Sequence, residues 1–245
     1  MTQVDIVNEA VSLDKPVLVE GFPGVGLVGK MAVDHLIDTF EMDHYANVHC
    51  GSIPPIATYR GETHELATPV RLYVDAERDL VALQSDVPIG PEAATEFGDC
   101  VAGWFADTGV VPIYLSGLPR QTDGPPALYG VSSGTVAGLL SAAGIDTPAG
   151  MGLISGPTGA LLAHALEDDS DALGLIVESD PQLPDPVAAR VVIEQGIEPI
   201  AGVSVPTEKL STRADEIEEA RAQLIKRMQQ STTDSSRAEP LQMYQ

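Results

Sequence analysis

PVLVEGFPGVGLVGKMAVDHLIDTF, residues 16–40, decides the fold. Residues 16–20 are a short continuous apolar run, the pattern of a strand buried on both faces. Residues 21–26 then break the chain with glycine and proline, the residues of a tight turn. Over 28–40 the spacing of Met31, Leu36 and Phe40 predicts a helix with those side chains on one face. A strand, a tight turn and a helix make the opening unit of an α/β protein.

The same texture runs on in both directions. Residues 70–75 and 80–84 read as a hairpin pair around 77–79, and a further strand lies near 45–50. A helix over 92–105 leads to a buried strand over 110–115, stopped by Ser116-Gly117. Residues 127–131, 135–143, 152–155 and 157–166 continue the alternation, with one more strand at 173–178 and one more helix at 186–195. This order predicts a three-layer α/β/α core domain over residues 1–206, its sheet largely parallel and covered by helices on both faces. No internal repeat is evident.

Past Val205-Pro206 the texture changes. Thr207 is placed as an N-cap, and Leu210, Ala214, Ile217, Leu224 and Met228 recur at helical spacing on a charged background, interrupted by Arg221. An amphipathic helix is expected over 207–230, docked on its own domain or paired with another subunit. Residues 231–245 form a flexible tail, since 229–240 are polar and unperiodic. The tail ends in Leu241-Gln242-Met243-Tyr244-Gln245, and apolar side chains have no folding reason to reappear there. A hydrophobic residue, a penultimate tyrosine and a free carboxylate suit a pocket with an apolar floor and a cation.

Composition bounds the function. Of 245 residues 44% are hydrophobic, enough to bury a core, and only 4% are aromatic. Lys+Arg 13 against Asp+Glu 36 gives a net charge of −23 and a sequence pI of about 4.2. Such a surface repels phosphate backbones and anionic lipid headgroups, and it lacks stacking platforms, so neither nucleic acid nor membrane is expected as a partner. Heavy carboxylation with only four lysines (Lys15, Lys30, Lys209, Lys226) fits a protein of a salt-rich cytosol, where screening blunts self-repulsion. Cys50 and Cys100 form no CxxC pattern, so two reduced, mostly buried cysteines are expected rather than a disulfide or a zinc site. No basic start with an apolar run marks a signal peptide, and no apolar stretch is long enough to span a bilayer, so a cytoplasmic protein is expected.

The motifs that carry chemistry are sparse. Gly24-x-Gly26-x-x-Gly29 between a strand and a helix matches a dinucleotide loop, but no acid follows to hold a ribose. Gly24-x-x-x-x-Gly29-Lys30 matches a P-loop, but Met31 replaces the Ser or Thr that would hold Mg²⁺. Gly24, Gly26, Gly29 and Lys30 therefore remain weak candidates for a nucleotide-binding enzyme, against a crossover that needs glycines for close packing. Gly130-Val131-Ser132-Ser133-Gly134 matches a nucleophile elbow. Downstream, however, His164 falls inside a helix and Asp146 is the one aspartate before it, while Ser133 reads better as a helix cap. His35, His44, His49 and His64 show no ligand spacing, and Asp168, Asp169 and Asp171 read as a solvated corner. No catalytic residue, metal or cofactor is assigned.

Three stretches together resemble the proteasome assembly chaperone 2 family in its archaeal branch, haloarchaeal by its composition. They are Gly21-Phe22-Pro23-Gly24-Val25-Gly26-Leu27-Val28-Gly29, Ile154-Ser155-Gly156-Pro157-Thr158-Gly159-Ala160-Leu161-Leu162, and Pro184-Asp185-Pro186-Val187-Ala188-Ala189. The resemblance spans about residues 1–200 and implies a phosphorylase/hydrolase-like α/β/α sandwich without a catalytic site. It also implies a role for the tail. Family members ending in hydrophobic–Tyr–x insert it between α-subunits of the proteasome core particle, so Met243 would pack on the pocket wall, Tyr244 would enter the groove, and the Gln245 carboxylate would meet a lysine. A homo-oligomer presenting several tails would gain by effective concentration.

Overall fold

The computed structural model describes residues 4–51, 53, 55–59, 64–119, 124–212 and 214. Among these, the strands are β1 (Val4–Ile6), β2 (Val17–Gly21), β3 (Asp43–Val48), β4 (Thr58–Tyr59), β5 (Leu66–Ala67), β6 (Val70–Asp75), β7 (Leu80–Ser85), β8 (Val111–Pro119), β9 (Leu128–Ser133) and β10 (Ala172–Ser179). The α-helices are α1 (Val28–Thr39), α2 (Pro91–Thr108), α3 (Ala137–Ala142), α4 (Gly156–Glu167), α5 (Pro186–Val192) and α6 (Glu198–Ala201). Eight strands form one sheet in the order β1-β3-β6-β7-β2-β8-β10-β9, and β4 pairs with β5 in a separate small hairpin.

The sheet is mixed rather than largely parallel. Its centre, from β7 through β2 and β8 to β10, is parallel, with Val17 opposite Leu80 on one side and Val111 on the other. The expected β6–β7 hairpin is antiparallel, and so are the β1–β3, β3–β6 and β9–β10 pairs. An apolar run marks a buried strand but carries no sign of its direction, which the connections decide. The β6–β7 turn is closed by Asp75, whose Oδ1 accepts from the amides of Glu77 and Arg78 at 3.1 and 3.2 Å.

Two other expectations change. β8 runs through Ser116-Gly117 to Pro119, because parallel pairing with β10 along Leu173–Ser179 carries it onward. The strand expected at 152–155 is absent: those residues form the exposed approach to α4. The helix over 186–195 begins as predicted, with Pro186 at its first position and Asp185 Oδ1 accepting from the Ala188 amide at 2.9 Å. It then loosens into a π turn over Ile193–Ile197 before α6.

Side-chain alternation splits the core into two layers. On β2, Val19 faces α1 and α5 while Leu18 faces α2 and α4; on β8, Ile113 and Tyr114 divide in the same way. Helix α1 comes very close to the sheet at Gly21, where a β-carbon would stand 2.4 Å from Val33 Cβ. The start of the C-terminal helix is helical over 208–212, and Leu210 is buried against the α1/α5 layer. Thr207 marks its first turn with its carbonyl, which accepts from the Leu210 amide at 3.0 Å, while its hydroxyl donates to Glu194 Oε1 at 2.6 Å. The remainder of the predicted helix lies outside the described residues.

Cys50 and Cys100 form a disulfide, contrary to the reduced pair expected from sequence, with α-carbons 6.1 Å apart. Fifty positions separate them along the chain, but the loop after β3 folds over α2, and spacing in sequence does not report that approach. The bridge ties the loop to the layer that holds Phe97 and Val101.

Candidate functional site

The loop after β2 is packed with its own chain. Phe22 sits edge-on to Phe97 at 5.3 Å between centroids. Residues Val25–Leu27 make a 3-10 turn in which Gly26 has φ 62 and Leu27 φ 51, and α1 starts directly after. Gly26 is pressed on the end of β10: a β-carbon there would lie 1.8 Å from Ser179 Oγ. The Gly26 carbonyl accepts from the Asp185 amide at 2.8 Å, which joins the loop to the start of α5. Ser179 Oγ, fully buried, has no hydrogen-bond partner among the described residues. Gly117 meets the same loop, since a β-carbon there would stand 2.7 Å from the Val25 carbonyl oxygen. The left-handed glycine thus serves close packing of loop on strand ends.

Lys30 is likewise engaged. Its Nζ lies 2.6 Å from Asp34 Oδ2 and 3.3 Å from Asp86 Oδ1. Asp86 also takes Arg71 Nη2 at 2.5 Å, and Gln84 links Arg71 to Asp34 through bonds of 2.7 and 2.8 Å. Burial pushes the Asp86 carboxyl up, but the hydrogen bond and charge of Arg71, with the charge of Lys30, hold it below the ordinary carboxylate value. Arg71, buried, further donates to Tyr73 Oη, Thr58 Oγ1 and the Thr68 carbonyl, pinning the β4–β5 hairpin to the sheet. The two cations and two carboxylates neutralise one another.

Beside the loop, a cleft of about 1180 Å³ opens past the C-terminal ends of β2 and β8 and along β9, between residues 22–25, 115–119, 129–133 and 148–159. This is where ligands enter α/β sheets in general. Under it lies Glu20, 1% exposed, whose Oε1 accepts from the Phe22 amide at 2.9 Å. Its Oε2 accepts from the Leu115 amide at 3.0 Å and the Thr158 hydroxyl at 3.2 Å. Burial raises the Glu20 carboxyl to about 7, against the pull of those three hydrogen bonds. Burial, with Glu20 nearby, also pushes the Tyr114 phenol up. Glu20 therefore joins β2, β8 and α4, a role that an acid inside an apolar strand does not announce in sequence.

The elbow serine and its would-be partners are not brought together. Ser132 lines the cleft, whereas His164 lines a separate cavity against α2 and approaches Asp99 and Asp168 at 3.6 and 3.1 Å. Asp146 offers its backbone carbonyl to the Gly130 amide at 2.9 Å. Ser133 caps no helix; it donates to the Ser170 carbonyl at 2.8 Å. Asp171 is more than a solvated corner, for it accepts from the Thr135 amide at 2.5 Å ahead of α3. His35 is buried with Nε2 2.7 Å from the Pro206 carbonyl, while His49 is exposed. Among the described residues no group of three His, Cys, Asp or Glu could hold a metal ion, and no helix is long and apolar enough to cross a membrane. Met243, Tyr244 and Gln245 lie outside the described residues.

A mixed sheet between two helical layers, with a glycine loop wedged onto the strand ends and a cleft beside it, defines a three-layer α/β/α sandwich. The chain belongs to the PAC2 family, whose sequence profile matches residues 18–225. It is similar to a protein of Pyrococcus furiosus, PbaA, described as an archaeal homolog of proteasome-assembly chaperone, with 23% identity, 95% of this chain and 96% of that chain covered, and a TM-score of 0.78. It is also similar to PbaB of the same organism, described as an archaeal proteasome activator, at 21% identity, 91% and 99% coverage and a TM-score of 0.75. An uncharacterized protein of Methanocaldococcus jannaschii is 25% identical over 211 residues, 85% of this chain and 84% of that protein.

Proposed function

We propose that the chain is a non-enzymatic, ATP-independent binding protein of the proteasome core particle, acting in its assembly or gating. The observation that carries this reading is family membership together with a fold shared, over 95% and 91% of the chain, with an assembly-chaperone homologue and a proteasome activator. In this reading Met243, Tyr244 and Gln245 dock between α-subunits of the core particle, Met243 against an apolar wall and Tyr244 in the groove. Residues 231–240 give the motif reach. A single short motif binds weakly, so a homo-oligomer that presents several tails at once raises the effective concentration at the ring. Insertion biases the α-ring toward one arrangement, either templating assembly or opening its gate. In this reading the acid-rich chain works in the cytoplasm of a salt-adapted archaeon, where screening lets acidic proteins meet. Packing of Gly26 on Ser179 and pairing of Lys30 with Asp34 and Asp86 favour a structural glycine loop over a nucleotide cradle.

A competition experiment tests the docking. Core particle bound to the immobilised full chain should be released by a synthetic peptide of residues 239–245 and not by the same peptide with Tyr244→Ala. Equal release by both peptides would show that the motif is not the contact.

A further inference from the structure

The second cavity, the one that His164 borders, holds about 490 Å³ between α2, α4 and the start of β8. That volume lies within the roughly 300–1,000 Å³ of small-molecule sites. Ala102 and Ala106, one turn apart on α2, and Ala165 on α4 are too short to fill the space between the two helices. Exposure grades along its lining. Lys15 and Asp168 are exposed and Asp171 half-buried, whereas Val110, Tyr114, Leu161 and Ala165 are buried. The cavity therefore has a polar mouth and an apolar interior, and Tyr114, 2% exposed, stands at the inner end.

The Tyr114 hydroxyl makes no hydrogen bond among the described residues. Nor is it sealed in: the closed-off, unpartnered side-chain atoms of the described residues are Ser179 Oγ and Arg190 Nε. Its open side is thus the cavity that it lines. A buried hydroxyl without a partner is costly, and one facing an open space waits for an acceptor. Since burial pushes the phenol up, the group stays protonated and able to donate.

We propose that this cavity binds a small uncharged molecule with an apolar body and a carbonyl or ether oxygen at its inner end, where Tyr114 donates to it. The surrounding charges select that class. An anion would meet two aspartates against one lysine at the mouth, and Glu20, whose charge reaches the same phenol, behind the inner end. A cation would find both aspartates engaged, Asp168 with His164 at 3.1 Å and Asp171 with the Thr135 amide at 2.5 Å. It would also leave water for walls of Phe105, Val110 and Leu161, which offer it nothing in return. An oxygen acceptor on a neutral apolar frame loses little water and satisfies the one interior donor. The inference goes beyond the proteasome reading and rests on no part of it.

NMR of the full chain, labelled at its alanine methyls and held in concentrated KCl, tests the site with acetophenone and α-methylstyrene. These probes share one shape and differ in a C=O against a C=CH2. In wild type both should shift the methyls of Ala102, Ala106 and Ala165 saturably. Acetophenone should bind wild type about three- to tenfold more tightly than Tyr114→Phe, the loss expected for one hydrogen bond. α-Methylstyrene should bind the two chains alike. Tyr114→Phe removes a hydroxyl that bonds to no described residue, so thermal melting should find it as stable as wild type. Ala102→Leu should abolish binding of both probes by filling the space, and the Tyr114→Phe comparison decides alone if that variant fails to fold. No saturable shift at these methyls with either probe would overturn the site and leave an opening that holds only water. Equal affinity of acetophenone for wild type and Tyr114→Phe would overturn the part given to Tyr114 and the ligand class with it.

Discussion

Gly26 holds φ 62 with a serine hydroxyl where its β-carbon would be. Gly26→Ala must therefore strain the backbone and push Ser179, whose neighbours Glu178 and Asp180 are held in strand and turn. A loss of about 2–4 kcal/mol is expected, read by denaturant unfolding in high salt. Gly24→Ala, with open space around that position, should change stability by far less. Glu20 gives a residue-scale effect of another kind. Its carboxyl titrates at 4.5 as a free group and at about 7 when folded, so folding takes up a proton between those values. The associated stability is fully present below pH 4.5 and is lost as pH rises through 7. At about 1.4 kcal/mol per pH unit the loss amounts to about 3 kcal/mol. Measured between pH 5 and 8, the unfolding free energy should carry this downward slope in the wild type and lose it in Glu20→Gln. An identical slope in both would place the titrating group elsewhere.

At the scale of elements, much was legible because the relevant physics is local. Val17, Leu18 and Val19 announce a buried strand, Asp185-Pro186 announces a helix start, and the Asp75–Asp79 turn announces its hairpin, each within a few residues. What was not legible depends on distant parts meeting. The direction of β9 and β3, the extension of β8 past Gly117, and the gathering of residues 22–25, 115–119 and 148–159 into one cleft are all set by the assembled sheet. The Cys50–Cys100 bridge belongs here too, since neither cysteine carries a local sign of the other. It closes a 50-residue separation that includes β4 to β7, so its main effect is to restrict the unfolded chain. Cys50→Ser/Cys100→Ser should lower stability by about 4 kcal/mol, and hydrogen exchange should rise first around Cys50 and along α2. No change in either would mean that the bridge is absent from the folded protein in solution.

For the whole molecule, charge is spread unevenly along the chain that builds the sheet and its two helical layers. One quarter of the chain, residues 108–166, is nearly free of charge, while the remainder carries most of the acid that keeps the molecule hydrated. The family and its fold were readable from three short stretches, because the glycine loop, the start of α4 and the start of α5 are joined in space, Asp185 to Gly26 and Thr158 to Glu20. The tail motif was readable only as an apolar ending to a polar run. The most direct test of the account is capture of purified proteasome core particle in high salt by the full chain and by a chain ending at Gln242. The account predicts capture by the full chain and its loss when Met243, Tyr244 and Gln245 are removed; equal capture by both, or capture by neither, would contradict it.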